Sequence, residues 1–325
     1  MNETAPAAEL PYHDRSVGLV IFGILTILLG CAAAGLCLLM LVGTMINTGD
    51  AATQTSPATL IPVVAVYAIL AVALVWLGIG SILARRWARA LLLIFSWTWL
   101  IAGVFGMLAM AALLPKLMHN FPVPPGRPAL PPGALEGVMI FAFILDGFFL
   151  VVLPAIWTYF YSSRHVKGTV EWRNPNPGWT DACPLPVLAG CLWAISSSVM
   201  LPMMAFTSYG VAPFFGMFLT GLPGTIFFLF IAGMQLIAAG MMYRMDVRGW
   251  WLFVAVFLTF MISSIVTYSR HDFIEVYQLM KFPDAQIDQV KKSGIFEGHS
   301  MAWISGFCML PYLGFLLFIK RYFRR

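Results

Sequence analysis

Charge is the scarcest feature of this sequence. Aspartate, glutamate, lysine and arginine together make 10% of 325 residues, where soluble domains carry about 25%. So few charges cannot cover a water-facing surface, and at 60% hydrophobic residues the natural solvent is lipid. No gap between the apolar runs is long enough to bury a soluble core of its own. Cysteine is sparse as well. Four of the five lie in apolar runs (Cys31, Cys37, Cys191, Cys308) and Cys183 stands alone in a loop, which excludes a disulfide framework and a CxxC metal pair. Catalytic signatures are missing too: there is no Walker A loop, no GxSxG and no HExxH.

What is present is a series of apolar runs of the length that crosses a hydrocarbon core. They cover about 17–46, 60–83, 88–115, 137–161, 185–208, 222–243, 249–269 and 300–319. The expected fold is an all-α integral membrane protein of eight transmembrane helices, since strands in lipid would leave backbone groups unpaired unless they closed a barrel. The first run is too long for a cleaved leader and lacks a basic flank, so it is expected to be retained. Pro154, Pro202 and Pro311 predict local kinks.

Lysines and arginines set the orientation. With a cytoplasmic N-terminus, thirteen of them (Arg15, Arg85, Arg86, Arg89, Arg164, Lys167, Arg173, Arg244, Arg248, Lys320, Arg321, Arg324, Arg325) face inward and six outward. The chain is expected in the plasma (inner) membrane with both termini cytoplasmic. The net charge of +5 then reports topology and headgroup contact and gives no reason to expect nucleic acid.

The two halves echo one another. Leu117-Met118-His119-Asn120-Phe121-Pro122 has a counterpart in Leu279-Met280-Lys281-Phe282-Pro283. Glu136 and Glu297 each sit in Gly-x-x-Glu-Gly, at Gly133–Gly137 and Gly294–Gly298. Ile61-Pro62 matches Leu222-Pro223, Tyr159-Phe160 matches Tyr322-Phe323, and Gly80 and Arg89 match Gly240 and Arg248 with slight slippage. The order predicts two tandem four-helix repeats in parallel orientation, related by a pseudo-twofold axis along the membrane normal. The divisions are 1–163 for the first repeat, 164–184 for a cytoplasmic linker with turn chemistry at Asn174–Trp179, and 185–325 for the second.

The halves also differ. The outer loop 47–57 is polar, whereas its counterpart 209–218 is apolar and glycine-containing. That loop is expected to lie in the interface, dip back into the bundle, or contact another membrane protein. The proline-rich loop 121–132 is expected to be stiff and extended, and Asp284 to Ser293 to form a short amphipathic helix.

Five residues are candidates for function. Asp146 is the one clear intramembrane charge, and such a carboxylate marks function by default; the plainer account is a protonated or hydrogen-bonded side chain tying helix four to a neighbour. Glu136 and Glu297 suggest a symmetric outer site, although a carboxylate at a helix N-terminus is explained by the helix dipole alone. His299, with His271, Asp272, Glu275 and Glu297, is a conceivable outer cluster. Gln235, with Ser196, Ser197, Ser198, Ser263 and Ser264, makes the second half the more polar inside; these groups line a path or simply bond across helices. No histidines are spaced i,i+4, and the methionines of helices five and six more often fill gaps than carry copper(I). No cofactor and no metal is expected. The reading that follows is a non-catalytic membrane subunit or scaffold. Its alternatives are a small-solute transporter or channel and, less favoured, an intramembrane enzyme acting on lipid.

Overall fold

The computed structural model describes residues 12–46, 57–120, 134–293 and 300–323. Twelve helices occur among them: α1 (Ser16–Ile46), α2 (Pro57–Ile82), α3 (Arg86–Asn120), α4 (Ala134–Gly147), α5 (Leu153–Ser162), α6 (Arg164–Arg173), α7 (Leu185–Thr207), α8 (Leu222–Tyr243), α9 (Val247–Arg270), α10 (Phe273–Leu279), α11 (Asp284–Ser293) and α12 (Ser300–Ile319). Among the described residues seven stretches are long and apolar enough to cross a membrane: Ser16–Gly43, Leu60–Ile82, Arg86–Ala112, Gly137–Ser162, Leu185–Thr207, Leu222–Tyr243 and Val247–Arg270. The chain is an all-α membrane protein in its spans. The polar loop 47–56, the proline-rich loop to 133 and the second Gly-x-x-Glu-Gly lie outside the described residues.

The contacts divide the chain into two compact units that no single cut in the sequence produces. One gathers residues 1–39, 66–102 and 148–182; the other gathers 40–65, 103–147 and 183–325.

The first unit is closed by small residues and a few buried hydrogen bonds. Gly23 and Gly30 on α1 lie seven residues apart, as do Ala71 and Gly78 on α2. A Cβ at Gly78 would stand 2.6 Å from the Gly23 carbonyl oxygen, one at Gly23 2.8 Å from the Gly78 carbonyl oxygen, and one at Gly30 3.0 Å from that of Ala71. Backbones this close need glycine at the seam. Tyr161 on α5 and Ser81 on α2 share a hydrogen bond of 2.7 Å, and Ser81 donates to the Leu19 carbonyl at 3.0 Å. Trp157 Nε1 donates to Thr26 Oγ1, and Phe22 stacks on Phe160 with centroids 4.0 Å apart. Ser81, Tyr161, Trp157 and Thr26 are buried polar groups with partners, which a bundle interior requires.

Residues 164–173, expected as linker, form α6, capped by Ser163 accepting from the His165 amide. Arg86 ties the helix down: it pairs with Glu171 and Asp181 at 3.4 Å each and donates to the Pro175 carbonyl. The Ser16 hydroxyl and amide both donate to Asp14 and hold that exposed carboxyl below the ordinary carboxylate range, with Arg173 nearby adding to the effect.

In the second unit α7, α8, α9 and α12 pack together. Trp250 Nε1 on α9 donates to the Leu316 carbonyl on α12 at 2.8 Å. Tyr312 lies against Trp193 and Phe257, and Lys320 sits over the rings of Trp250 and Trp251. Burial pushes the Cys183 thiol, just before α7, up to about 11. The expected amphipathic helix is α11: Ile287 is buried and Val290 half-buried, while Asp284, Asp288 and Lys291 are exposed.

Of the three prolines, Pro202 and Pro311 sit inside continuous helices. Pro154 follows a π-helical turn, Phe148–Val152, that joins α4 to α5. The widened turn accommodates the missing N–H of the proline.

Three helix ends among the described residues share an uncommon device. α2 closes with the Arg85 amide on the Gly80 carbonyl and the Ala84 amide on the Ser81 carbonyl; α8 closes with the Asp246 amide on Met241 and the Met245 amide on Met242; α10 closes with the Phe282 amide on Tyr277 and the Lys281 amide on Gln278. Ala84 and Met245 adopt φ of 50° and 60°, and that of Lys281 is likewise positive. These are Schellman caps without glycine. Because a left-handed alanine is strained, Ala84→Gly should raise stability by about 0.5–1 kcal/mol. Ala90→Gly within α3 should lower it by about 1 kcal/mol. Thermal unfolding of the two variants in one detergent checks both signs.

Candidate functional site

The apolar loop after α7 is an antiparallel hairpin, β1 (Ala212–Phe214) and β2 (Met217–Leu219), with Ala212 opposite Leu219 and Phe214 opposite Met217. Its two-residue turn, Phe215 and Gly216, has φ of 43° and 96°. Two positive values in a row match the twist that a tight hairpin needs. Asparagine-glycine would signal such a turn in a sequence; phenylalanine-glycine does not.

The turn is held from below by one stripe of α9. Ser263 accepts from the Phe215 amide at 3.0 Å and donates to the Pro213 carbonyl at 2.9 Å. Thr267 accepts from the Gly216 amide at 3.0 Å. His271 Nε2 meets the Gly216 carbonyl at 3.0 Å while its Nδ1 meets Glu275 at 2.7 Å. Both ring nitrogens thus face acceptors, a carbonyl on one side and a carboxylate on the other. Ser263 and Thr267 are fully buried. Ala212 packs with Ala205 and Phe228 beneath the hairpin.

The hairpin therefore buries one side and shows the other. Phe214, Phe215 and Met217 are 36%, 46% and 56% exposed. Of the three placements expected for this loop, the structure seats its base on the bundle and leaves its aromatic tip uncovered.

Gln235, on α8, is buried, and its Oε1 accepts from Ser197 on α7 at 2.5 Å. Ser197 and Ser198 also turn back onto the carbonyls of Ala194 and Ile195. These polar groups are satisfied across and within helices.

Asp146 ends α4 one residue before its last glycine and is exposed. Among the described residues no hydrogen bond or ion pair reaches it. Glu136 falls in the first turn of α4; Glu297 and His299 lie outside the described residues. His271 and Glu275 of the expected outer cluster do meet, and Asp272 precedes α10 as its cap residue. Among the described residues no group of three or more histidine, cysteine, aspartate or glutamate side chains is gathered in a way that would hold a metal.

Thr267 was not singled out by the sequence. The signal was there: Ser263 and Thr267 stand four residues apart on α9, which places them on one face, and His271 follows four residues on, just past the helix end.

No protein-family model matches this chain, and neither a curated protein nor a solved structure is significantly similar to it.

Proposed function

We propose that this protein is a non-catalytic subunit or scaffold of the plasma (inner) membrane that holds another membrane protein through its outer hairpin. The observation that carries the reading is the hairpin itself: a turn fixed by Ser263 and Thr267 of α9 and by His271 just past its end, presenting Phe214, Phe215 and Met217 to the outside. A fixed aromatic surface loses little freedom on binding, which is where affinity is usually lost. The transporter alternative would call for free polar groups along a path, whereas Ser197 of α7 is bonded to Gln235 of α8 and Ser198 turns back onto its own helix.

The proposed topology has α12 as an eighth span and both termini in the cytoplasm, in line with the surplus of basic residues on that side. It also has two tandem four-helix repeats. Helix limits support the duplication: Ile82 and Tyr243 end α2 and α8, and Arg86 and Val247 begin α3 and α9, each pair 161 residues apart. Ala84 and Met245, the left-handed caps of α2 and α8, stand at the same spacing. This register is cleaner than the slipped pairing of Gly80 with Gly240.

Extraction from native membranes in mild detergent, with quantification of co-purifying proteins, tests the reading. A stoichiometric membrane partner is expected. Its recovery should fall at least tenfold in Phe214→Ser/Phe215→Ser, two changes at exposed positions that leave the thermal midpoint of the bundle unchanged. A chain that stays alone and monodisperse across several mild detergents would sink the proposal and move the work to solute uptake in liposomes.

A further inference from the structure

Asp146 stands nine residues into the span Gly137–Ser162, about 14 Å along a helix rising 1.5 Å per residue. That is close to the middle of a hydrocarbon core about 30 Å thick. A carboxylate at this depth costs about 2.5–3.5 kcal/mol even on the mildest scales. Aspartate is also too short to reach a headgroup, as lysine and arginine do with their long stems. Yet the side chain is exposed and, among the described residues, unpaired.

Its surroundings are equally uncovered. In the most apolar window of this span 6% of residues are buried, against 33–39% in α7, α8 and α9. Over residues 137–150 only Met139, Phe143, Gly147 and Leu150, three or four apart on one stripe, are half-buried. There Met107 of α3 approaches Gly147, with its Cε 3.4 Å from where a Cβ would stand. The rest of the helix around Asp146 points away from the chain, including Phe141, Ile144 and Leu145 at 67%, 65% and 45% exposure. The π-helical turn begins two residues after Asp146, and such turns are frequent at functional sites.

Charge decides what covers this face. All 19 lysines and arginines lie outside the spans or within their first or last turn, and all five histidines lie outside them. A second copy of this chain therefore brings no cation to the level of Asp146; it brings only another carboxyl. Lipid tails bring nothing that hydrogen-bonds. We propose that the exposed face of α4 docks a transmembrane helix of a different membrane protein, one that carries a lysine or arginine at the depth of Asp146. The inference rests on the subunit reading and adds to it a second surface and the chemistry of the partner. In hydrocarbon the ion pair gains far more from Coulomb attraction than it would in water. Each charge left alone there is heavily penalised, so the pair also selects the partner.

The test uses the full chain in native membranes, with a photo-reactive benzoylphenylalanine placed at Phe141 or Leu145. The expected adduct joins this chain to a different protein, and its mapped peptide is a transmembrane segment containing lysine or arginine. Adduct yield should fall at least tenfold in Asp146→Leu. In Asp146→Lys it should fall likewise, and return when the partner's basic residue is exchanged for aspartate. Asp146→Asn, which keeps shape and hydrogen bonding, should give an intermediate yield and guards against misfolding of the other variants. Adducts with lipid alone, adducts with a second copy, or a partner adduct indifferent to Asp146→Leu would each overturn the inference. In the last case, or where a partner co-purifies but never crosslinks from α4, the subunit reading stands while this surface falls. If no protein co-purifies and only lipid is labelled, both fall.

Discussion

Gly78→Leu should lower the stability of the first unit by about 3 kcal/mol or more, the upper range for overfilling a close-packed contact. The reason is that the obstacle is backbone. A Cβ at position 78 would meet the Gly23 carbonyl oxygen and Ile27 Cγ1, both at 2.6 Å. A side chain in the way can change rotamer; a carbonyl in a helix can move only if the helix moves. α1 and α2 would have to separate, and Ser81, which bonds Leu19 and Tyr161 from the same turn of α2, would be pulled off both. For a chain of this size the thermal midpoint should drop by about 6–12 °C. Gly35→Leu is the matched control. It lies on α1, and a Cβ there meets nothing within 4 Å, so its midpoint should stay within about 1 °C of the parent. Equal losses in the two variants would show that the glycine seam is not what holds the pair together.

Ser263→Ala with Thr267→Val should release the hairpin. The two hydroxyls accept the Phe215 and Gly216 amides, and a buried donor left without an acceptor costs about 1–3 kcal/mol. Part of that cost can be escaped by lifting the turn into water, so the effect is expected in local opening more than in global unfolding. A loss of about 2–3 kcal/mol in opening free energy corresponds to amide exchange roughly 30- to 150-fold faster at those two positions. The amides of α8 should be unaffected. Unchanged exchange at Phe215 and Gly216 would mean that the base of the hairpin, where Ala212 packs on Ala205 and Phe228, is sufficient by itself.

Seven of the eight expected spans were legible from the sequence because one property, length of apolar run, decides them in lipid. Helix ends fell within a few residues of expectation at α1, α7, α8, α9 and α12, and α11 showed its amphipathic pattern plainly. Short-range backbone choices were not legible. Ala84, Met245, Phe215 and Lys281 all take positive φ, and none is a residue type that announces it. α6 was hidden for a different reason: its residues are polar on most sides, and its docking depends on Arg86, Glu171 and Asp181 meeting across the fold. At the candidate site, Asp146 drew attention as a lone charge, but no pattern in the sequence told which way it faces. Gln235 and Ser197 were both visible as polar residues; that they pair with each other is a matter of how α7 and α8 cross.

α9 has a mechanical aspect. Near one end it grips the hairpin through Ser263 and Thr267, and at the other Trp250 is bonded to Leu316 and lies under Lys320. Its 24 residues make a rod about 36 Å long. A tilt of about 5° about one end displaces the other by about 3 Å over that length. Both ends are hydrogen-bonded to other elements, and the helix between them is continuous. A load applied to the hairpin by anything seated on it would thus be felt at the far surface as a displacement of Trp250, Trp251 and the basic residues beside them, and α9 is the lever arm.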